Sequence, residues 1–355
     1  MRAFLHIGAG KTGTSAIQVA LASSRPQLAQ AGIFYPRGLQ GAGEQAERGE
    51  VSQGNAFGLS LLLNAKRRDR GVERDAAQNW LRNCIEKAAG RDLLFSSEAM
   101  QFPRPAETET LCSFLDAAGY EVTVILYVRH ALDQAISAYL QFLKRGRIGN
   151  GDNANHHDRT AFLHHHRTAY LISLEPFAKV LPPERVIVRL YDKEQADLVR
   201  GFLSLISDRS FTIPAAEKVV NRSPTAAEQV VFTELARLPR GRFLCRAVSD
   251  LTLNRPSAIP AARTVSEAEF TDFATRNQPV VDAVNARFLK NNGELLIKSD
   301  RILVGDLPPP TPEEVYAAFA ECYALLDADT RARLRAAQTT AIGKKPAREP
   351  ASTGE

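Results

Sequence analysis

The residues best suited to chemistry come early in the chain. The run His6–Ser15 (HIGAGKTGTS) sets Gly8, Gly10 and Gly13 around Lys11 and the hydroxyls of Thr12, Thr14 and Ser15. It follows an apolar stretch that reads as a strand, and it opens a segment that reads as a helix from about residue 14 to 22. Backbone N–H groups of such a loop, with a helix N-terminus behind them, bind an anion. Three patterns compete for which anion. Gly8, Gly10 and Gly13 fit the G-x-G-x-x-G dinucleotide fingerprint, which wants an acid about 20 residues on to hold a ribose hydroxyl. The first acid in this chain is Glu44, so NAD lacks its partner, while Arg37 leaves a 2′-phosphate (NADP) reading open. Gly10-Lys11-Thr12 fits the end of a Walker A loop, but Leu5 stands where its first glycine belongs, which leaves only an irregular P-loop kinase.

The third pattern takes the loop as one unit. His6 to Gln18 resembles the 5′-phosphosulfate loop of sulfotransferases that use 3′-phosphoadenosine 5′-phosphosulfate (PAPS). Bacterial and carbohydrate-type members carry it as H-I-G-x-x-K-T-G-T-[ST]-x-I-Q. The resemblance implies that Gly10, Lys11, Thr12, Gly13, Thr14 and Ser15 hold the cofactor. It extends to RHALDQAISAYLQ, which follows the apolar run EVTVILYV. The family's 3′-phosphate motif has an arginine at a strand end and a serine eight residues later, as Arg129 and Ser137 stand here. Arginine suits that role because its planar fork makes paired bonds to phosphate. GIFYP, LLFSSE, VIVRLYDKEQADLVRGFLSLI and Asn221–Ser223 look like further family segments in the same order, so the likeness covers about residues 1 to 235.

What the resemblance implies is sulfuryl transfer from PAPS to a hydroxyl or amine of a carbohydrate or glycolipid, leaving adenosine 3′,5′-bisphosphate (PAP), without a metal. Lys11 and the loop amides would stabilise charge on the leaving phosphate, and a base must take the acceptor's proton. Glu98, at the end of LLFSSE, is the expected base, because related bacterial and heparan-type enzymes use a glutamate and aryl-type enzymes a histidine. A Glu98 that merely caps the next helix is the alternative. A P-loop kinase using Mg-ATP and a non-catalytic nucleotide- or polyanion-binding module stay open as rivals.

These residues need a scaffold that brings strand exits together. Strand-like runs at residues 4–7, 33–35, 93–98, 121–128 and 185–191 alternate with helix-like runs. That rhythm predicts an α/β fold, a three-layer α/β/α sandwich on a central parallel sheet, with ligands beyond the carboxyl ends of the strands. The resemblance names it the P-loop-like sulfotransferase fold. The expected division is a PAPS-binding core over 1–235, a helical extension over 236–342 and a disordered tail over 343–355. Helices are expected near 225–237, 266–290, 312–326 and 329–341. Loops at 38–54 and 146–161 are expected to be mobile and to line an acceptor cleft.

Composition limits the rest. The chain has 355 residues, 44% hydrophobic and 24% charged, which excludes disorder throughout. Its +5 net charge is local: the acid-free first 43 residues and a basic stretch at 331–348 carry all of it and more. Local basicity points to a local anion rather than a nucleic-acid coat. No apolar run reaches a membrane span and no secretory signal opens the chain, so a cytoplasmic protein is expected. Cys84, Cys112, Cys245 and Cys322 have no metal-ligand spacing and read as buried, reduced thiols. His156, His157 and His164–His166 cluster, but adjacent helical histidines point apart, so surface histidines are expected rather than a metal site.

Overall fold

The computed structural model describes residues 1–41, 44–49, 54–64, 71–147, 158–207, 222–253, 255, 263–290, 292–306 and 308–343. The chain forms two compact units. The first holds Met1–Gln134, Arg167–Glu217 and Ala274–Ser299, and the second holds Ala135–His166, Lys218–Phe273 and Asp300–Glu355.

The first unit opens with β1 (Arg2–Ile7), α1 (Thr14–Ser23), α2 (Arg25–Gln30) and β2 (Ile33–Phe34). Next come α3 (Glu44–Glu47), α4 (Phe57–Leu63), α5 (Gly71–Ala88), β3 (Asp92–Ser97) and α6 (Pro105–Ala117). β4 (Glu121–Val128) leads into α7 (Ala131–Lys144), most of which belongs to the second unit, as does α8 (Arg159–His165). The first unit resumes with α9 (Tyr170–Ala178), β5 (Val186–Leu190), α10 (Tyr191–Glu194) and α11 (Leu198–Ile206).

All five strands are parallel, in the order β2-β3-β1-β4-β5. The fold is α/β, with β1 at the centre. Its side chains Ala3, Phe4, Leu5, His6 and Ile7 are all buried, as a parallel strand covered on both faces requires. Phe4, Leu94, Ile125 and Tyr127 share one face and pack with Ile17 and Leu21 of α1, Leu28 of α2 and Phe202 and Ile206 of α11. On the opposite face the Trp80 ring of α5 meets Phe95 at 5.6 Å. Helices α6 and α9 also contact β4 and add nothing to the first cluster. The first unit therefore has three layers.

The second unit is mainly helical. It contains α12 (Ala226–Arg237), α13 (Gly241–Thr252), β6 (Thr264–Val265), the start of α14 (Glu267–Val284), β7 (Leu303–Val304), α15 (Pro312–Leu325) and α16 (Ala328–Gly343). Thr225 and Thr311 each close a reciprocal cap with Glu228 and Glu314. β6 and β7 form a separate two-stranded parallel sheet.

Several expectations need correction. Helix α13 was not foreseen; Arg240, in the left-handed region at φ 61°, starts it without a side-chain cap, so no start signal marks it. Within the 146–161 stretch expected to be a loop, α8 already begins at Arg159, capped by the Asp158 side chain on Ala161 N. The expected helix at 266–290 is α14 followed by a π turn over Asn285–Leu289. Within the 38–54 loop, 39–41 form a 3-10 turn and α3 follows. His156, His157, Asn221 and the tail beyond Gly343 lie outside the described residues.

Candidate functional site

Parallel strands bring their carboxyl ends to one edge of the sheet, and β1 lies where strand order reverses, the usual crevice of such sheets. From β3 across to β5, the residues after the strands are Glu98 (β3), the loop Gly8–Gly13 (β1), Arg129 (β4) and Tyr191-Asp192 (β5). The edge is therefore a glycine-rich loop with a carboxylate on one flank and an arginine on the other.

The loop is built tightly. Gly13 lies at φ 77° and N-caps α1. A β-carbon there would come within 2.2 Å of Leu198 Cδ2, so glycine is required twice over. Lys11 also lies in the left-handed region, at φ 71°, a strained state for a non-glycine residue that tends to gather at ligand sites. Thr12 Oγ1 donates to Ala9 O at 2.6 Å and locks the turn. Gly10 has open space where a β-carbon would stand, so the loop is approachable there. Helix geometry leaves the first-turn N–H groups of α1, including Thr14 and Ser15, without intrahelical partners. Thr14 is 1% exposed and its Oγ1 makes no hydrogen bond to any described residue, whereas Ser15 is half-buried.

On the β4 flank Arg129 is buried and held from several directions. Its Nη1 donates to Lys11 O at 3.2 Å, and its Nε faces Asp192 Oδ1 at 3.6 Å. Its guanidinium lies over the Tyr191 ring at 5.4 Å. Tyr170 OH accepts from Arg129 N at 3.0 Å and donates to Arg129 O at 2.7 Å, and burial pushes that phenol's pKa up. Among the described residues nothing bonds Nη2, which leaves that edge of the fork for a ligand. Gln134 adds a bond from Nε2 to Gly10 O at 3.3 Å. Ser137 is half-buried on α7 and falls in the second unit.

On the β3 flank Glu98 is exposed and opens a 3-10 turn over Glu98–Met100. The cap of that turn is Ser97, whose Oγ accepts from Ala99 N at 3.1 Å, so Glu98 is not the cap. Gly8 N donates to Ser97 O at 3.2 Å, which ties the loop to this exit. A β-carbon on Gly8 would come within 2.8 Å of both Glu98 Cγ and Thr14 Oγ1. The Glu98 side chain thus lies against the loop.

Sequence reasoning missed Asp192, Tyr191, Tyr170 and Gln134. A usable signal existed for one pair: Tyr191-Asp192 directly follow a buried strand of the same sheet. Several histidines are engaged elsewhere. His130 Nδ1 accepts from Leu296 N at 3.0 Å, a backbone-holding role. His164 Nδ1 lies 3.1 Å from Asp272 Oδ2, and the His166 ring stacks on Phe162. Among the described residues no three metal-ligating side chains come together. The four cysteines are buried and none forms a disulfide. Burial pushes the Cys84, Cys112 and Cys245 thiols up to about 12, which keeps them unreactive. A cavity of about 220 Å³ between α5 and α6, lined by Leu81, Leu111 and Phe114, includes no residue of this edge.

Two loop readings lose ground on geometry. β3 separates β2 from β1, so Arg37 follows a strand that is not adjacent to the loop, and it pairs with Glu47 at 3.3 Å. A dinucleotide site needs that second strand next to the first. Leu5 is a fully buried residue in mid-strand, so the loop cannot extend back to Walker length.

No protein-family model matches the chain, and no curated protein matches it. Among solved structures, the sulfotransferase domain from the curacin biosynthetic pathway aligns over 57% of this chain and 71% of its own, at 15% identity and a TM-score of 0.32.

Proposed function

We propose that this chain is a PAPS-dependent sulfotransferase. The observation that carries the reading is the order along the carboxyl edge: a carboxylate, a strained anion loop and a buried arginine on three adjacent strands. One nucleotide with phosphate groups at both its 5′ and 3′ positions uses the loop and Arg129 together. Lys11, Thr12, Thr14, Ser15 and the amides of Gly10 and Gly13 bind the 5′-phosphosulfate. Arg129 binds the 3′-phosphate. Arg129 Nη2 and Thr14 Oγ1 fit such a ligand as donors that no described residue engages.

PAPS supplies an already activated sulfuryl group, so positioning and charge stabilisation are the protein's share. Glu98 accepts the proton of the acceptor hydroxyl as that oxygen bonds to sulfur. The bond from sulfur to the phosphate oxygen breaks in line, and Lys11 with the loop amides stabilises the phosphate charge of departing PAP. The acceptor is a hydroxyl, or an amine, of a carbohydrate or glycolipid, and no metal takes part. A cytoplasmic location goes with this reading; among the described residues no helix is long and apolar enough to cross a membrane.

The test is product formation from radiolabelled PAPS over an acceptor panel, in EDTA, for the wild-type chain and Glu98→Gln. Labelled product from the wild type and its loss in Glu98→Gln are expected. Turnover that requires Mg-ATP assigns a kinase instead, and PAP binding without transfer to any acceptor assigns a binding module.

A further inference from the structure

The motif His6–Gln18 includes two polar residues, its first and last, that the cofactor roles above do not use. Both are buried: His6 is 0% exposed and Gln18 is 1% exposed. They converge on one atom. His6 Nδ1 lies 2.8 Å from Ser96 Oγ, and Gln18 Nε2 donates to the same oxygen at 3.3 Å. Ser96 is itself 0% exposed and sits on β3, two residues before Glu98.

The backbone of Ser96 is held with equal care. β2 is only two residues long and pairs with β3 no further than Leu93. Beyond it the outer edge of β3 would be left unsatisfied, which is costly in a buried sheet. Asn55 fills the gap: its Oδ1 accepts from Ser96 N at 2.8 Å, and its Nδ2 donates to Pro36 O at 3.0 Å and Leu94 O at 3.1 Å. Ala56 N donates to Ser96 O at 3.3 Å. Gly54 makes the approach possible, since a β-carbon there would lie 2.0 Å from Ser96 O and 2.4 Å from Gln18 Nε2.

We infer that His6, Gln18 and Asn55 are positioning residues that converge on Ser96 and so set the β3 exit, with Glu98, against the anion loop. This inference rests on the reading of Glu98 as the base. Loop and base belong to different strands, and their alignment within a few tenths of an ångström decides proton transfer. His6 comes from the strand before the loop and Gln18 from the helix after it, so the two ends of the loop are bonded to the strand that carries the base. Burial holds the His6 imidazole neutral, with a pKa of about 3, so no charge is spent inside the core.

Two readouts test this in the full chain, with Ser96→Ala and the milder Gln18→Met. The first is amide hydrogen exchange in the peptide spanning Ser97–Gln101. Acceleration of tenfold or more is expected in both variants, with β4 and β5 peptides unchanged. Unchanged exchange at 97–101, or equal acceleration across the whole sheet, overturns the inference. The second is kcat in a double-mutant cycle with Glu98→Gln. Ser96→Ala alone is expected to lower kcat about tenfold at unchanged KM for PAPS, and to cost nothing further once Glu98 is gone; additive losses contradict the link to Glu98. Full turnover in Glu98→Gln alone removes the base assignment, while the exchange result still decides whether the β3 exit is held by Ser96.

Discussion

On the β4 flank of the loop, Arg129 is 7% exposed and fixed by a carbonyl, a carboxylate, an aromatic face and a phenol. On the β3 flank, Glu98 is exposed on a single 3-10 turn, and the ordering lies one layer below it at Ser96. A buried guanidinium must be paired and fixed before its ligand arrives, because an unpaired charge in the core is costly. In the proposed reading Glu98 is a base that must meet an acceptor entering from solvent, which fits an exposed residue steered indirectly. On that proposal, the contrast is between a preorganised cofactor grip and an accessible reaction face.

The variant that breaks the comparison most strongly is Glu98→Gln. Loss of a general base lowers kcat by roughly 10²- to 10⁴-fold, with PAP affinity unchanged in calorimetry. Comparable loss of PAP affinity would merge the two flanks into one binding site. Next comes Arg129→Ala, expected to weaken PAP by roughly 10- to 100-fold through loss of charge-assisted bonds. Equal weakening of adenosine 5′-phosphate would show that Arg129 does not read the 3′-phosphate.

Asp192→Asn sharpens the point about preorganisation. Arg129 and Asp192 have side chains only 8% and 9% exposed, so removing the carboxylate leaves a buried cation without its counter-charge. A loss of about 1–3 kcal/mol is expected in the ligand-free protein. PAP should then raise Tm more in the variant than in the wild type, since the 3′-phosphate replaces the missing charge. Equal shifts would mean that the carboxylate does not share Arg129 with the ligand.

The last effect, from His6, is confined to acid pH and leaves the site untouched at neutral pH. Its folded pKa of about 3 lies below the ordinary histidine value of 6.5, so the unfolded chain binds the extra proton between those pH values. Stability is therefore unaffected by His6 above pH 6.5 and falls as pH drops toward 3, by about 1.4 kcal/mol per pH unit. His6→Gln should flatten that slope in urea titrations run from pH 7 to 4, and an unchanged slope would place the acid sensitivity elsewhere.

The candidate site was legible where residues suited to chemistry lie consecutively next to a strong pattern. The glycine loop and Arg129 both follow apolar strands, and strand exits are where such sheets bind ligands. Asp192, Tyr170 and Asn55 escaped because their partners lie 41 to 63 residues away and no local period encodes them. The parallel core followed from the β/α alternation, whereas the two-residue strands β2, β6 and β7 are too short to carry a period. The shortness of β2 is what creates the place that Asn55 fills.

The central claim is that the carboxyl edge grips one nucleotide at both its 5′ and 3′ ends without a metal. Calorimetric titration of the wild-type chain with PAP in EDTA tests it, with adenosine 5′-phosphate and Mg-ATP as competitors. The account predicts saturable one-to-one binding of PAP, displaced poorly by either competitor. Absence of PAP binding, or binding of Mg-ATP in its place, would contradict it.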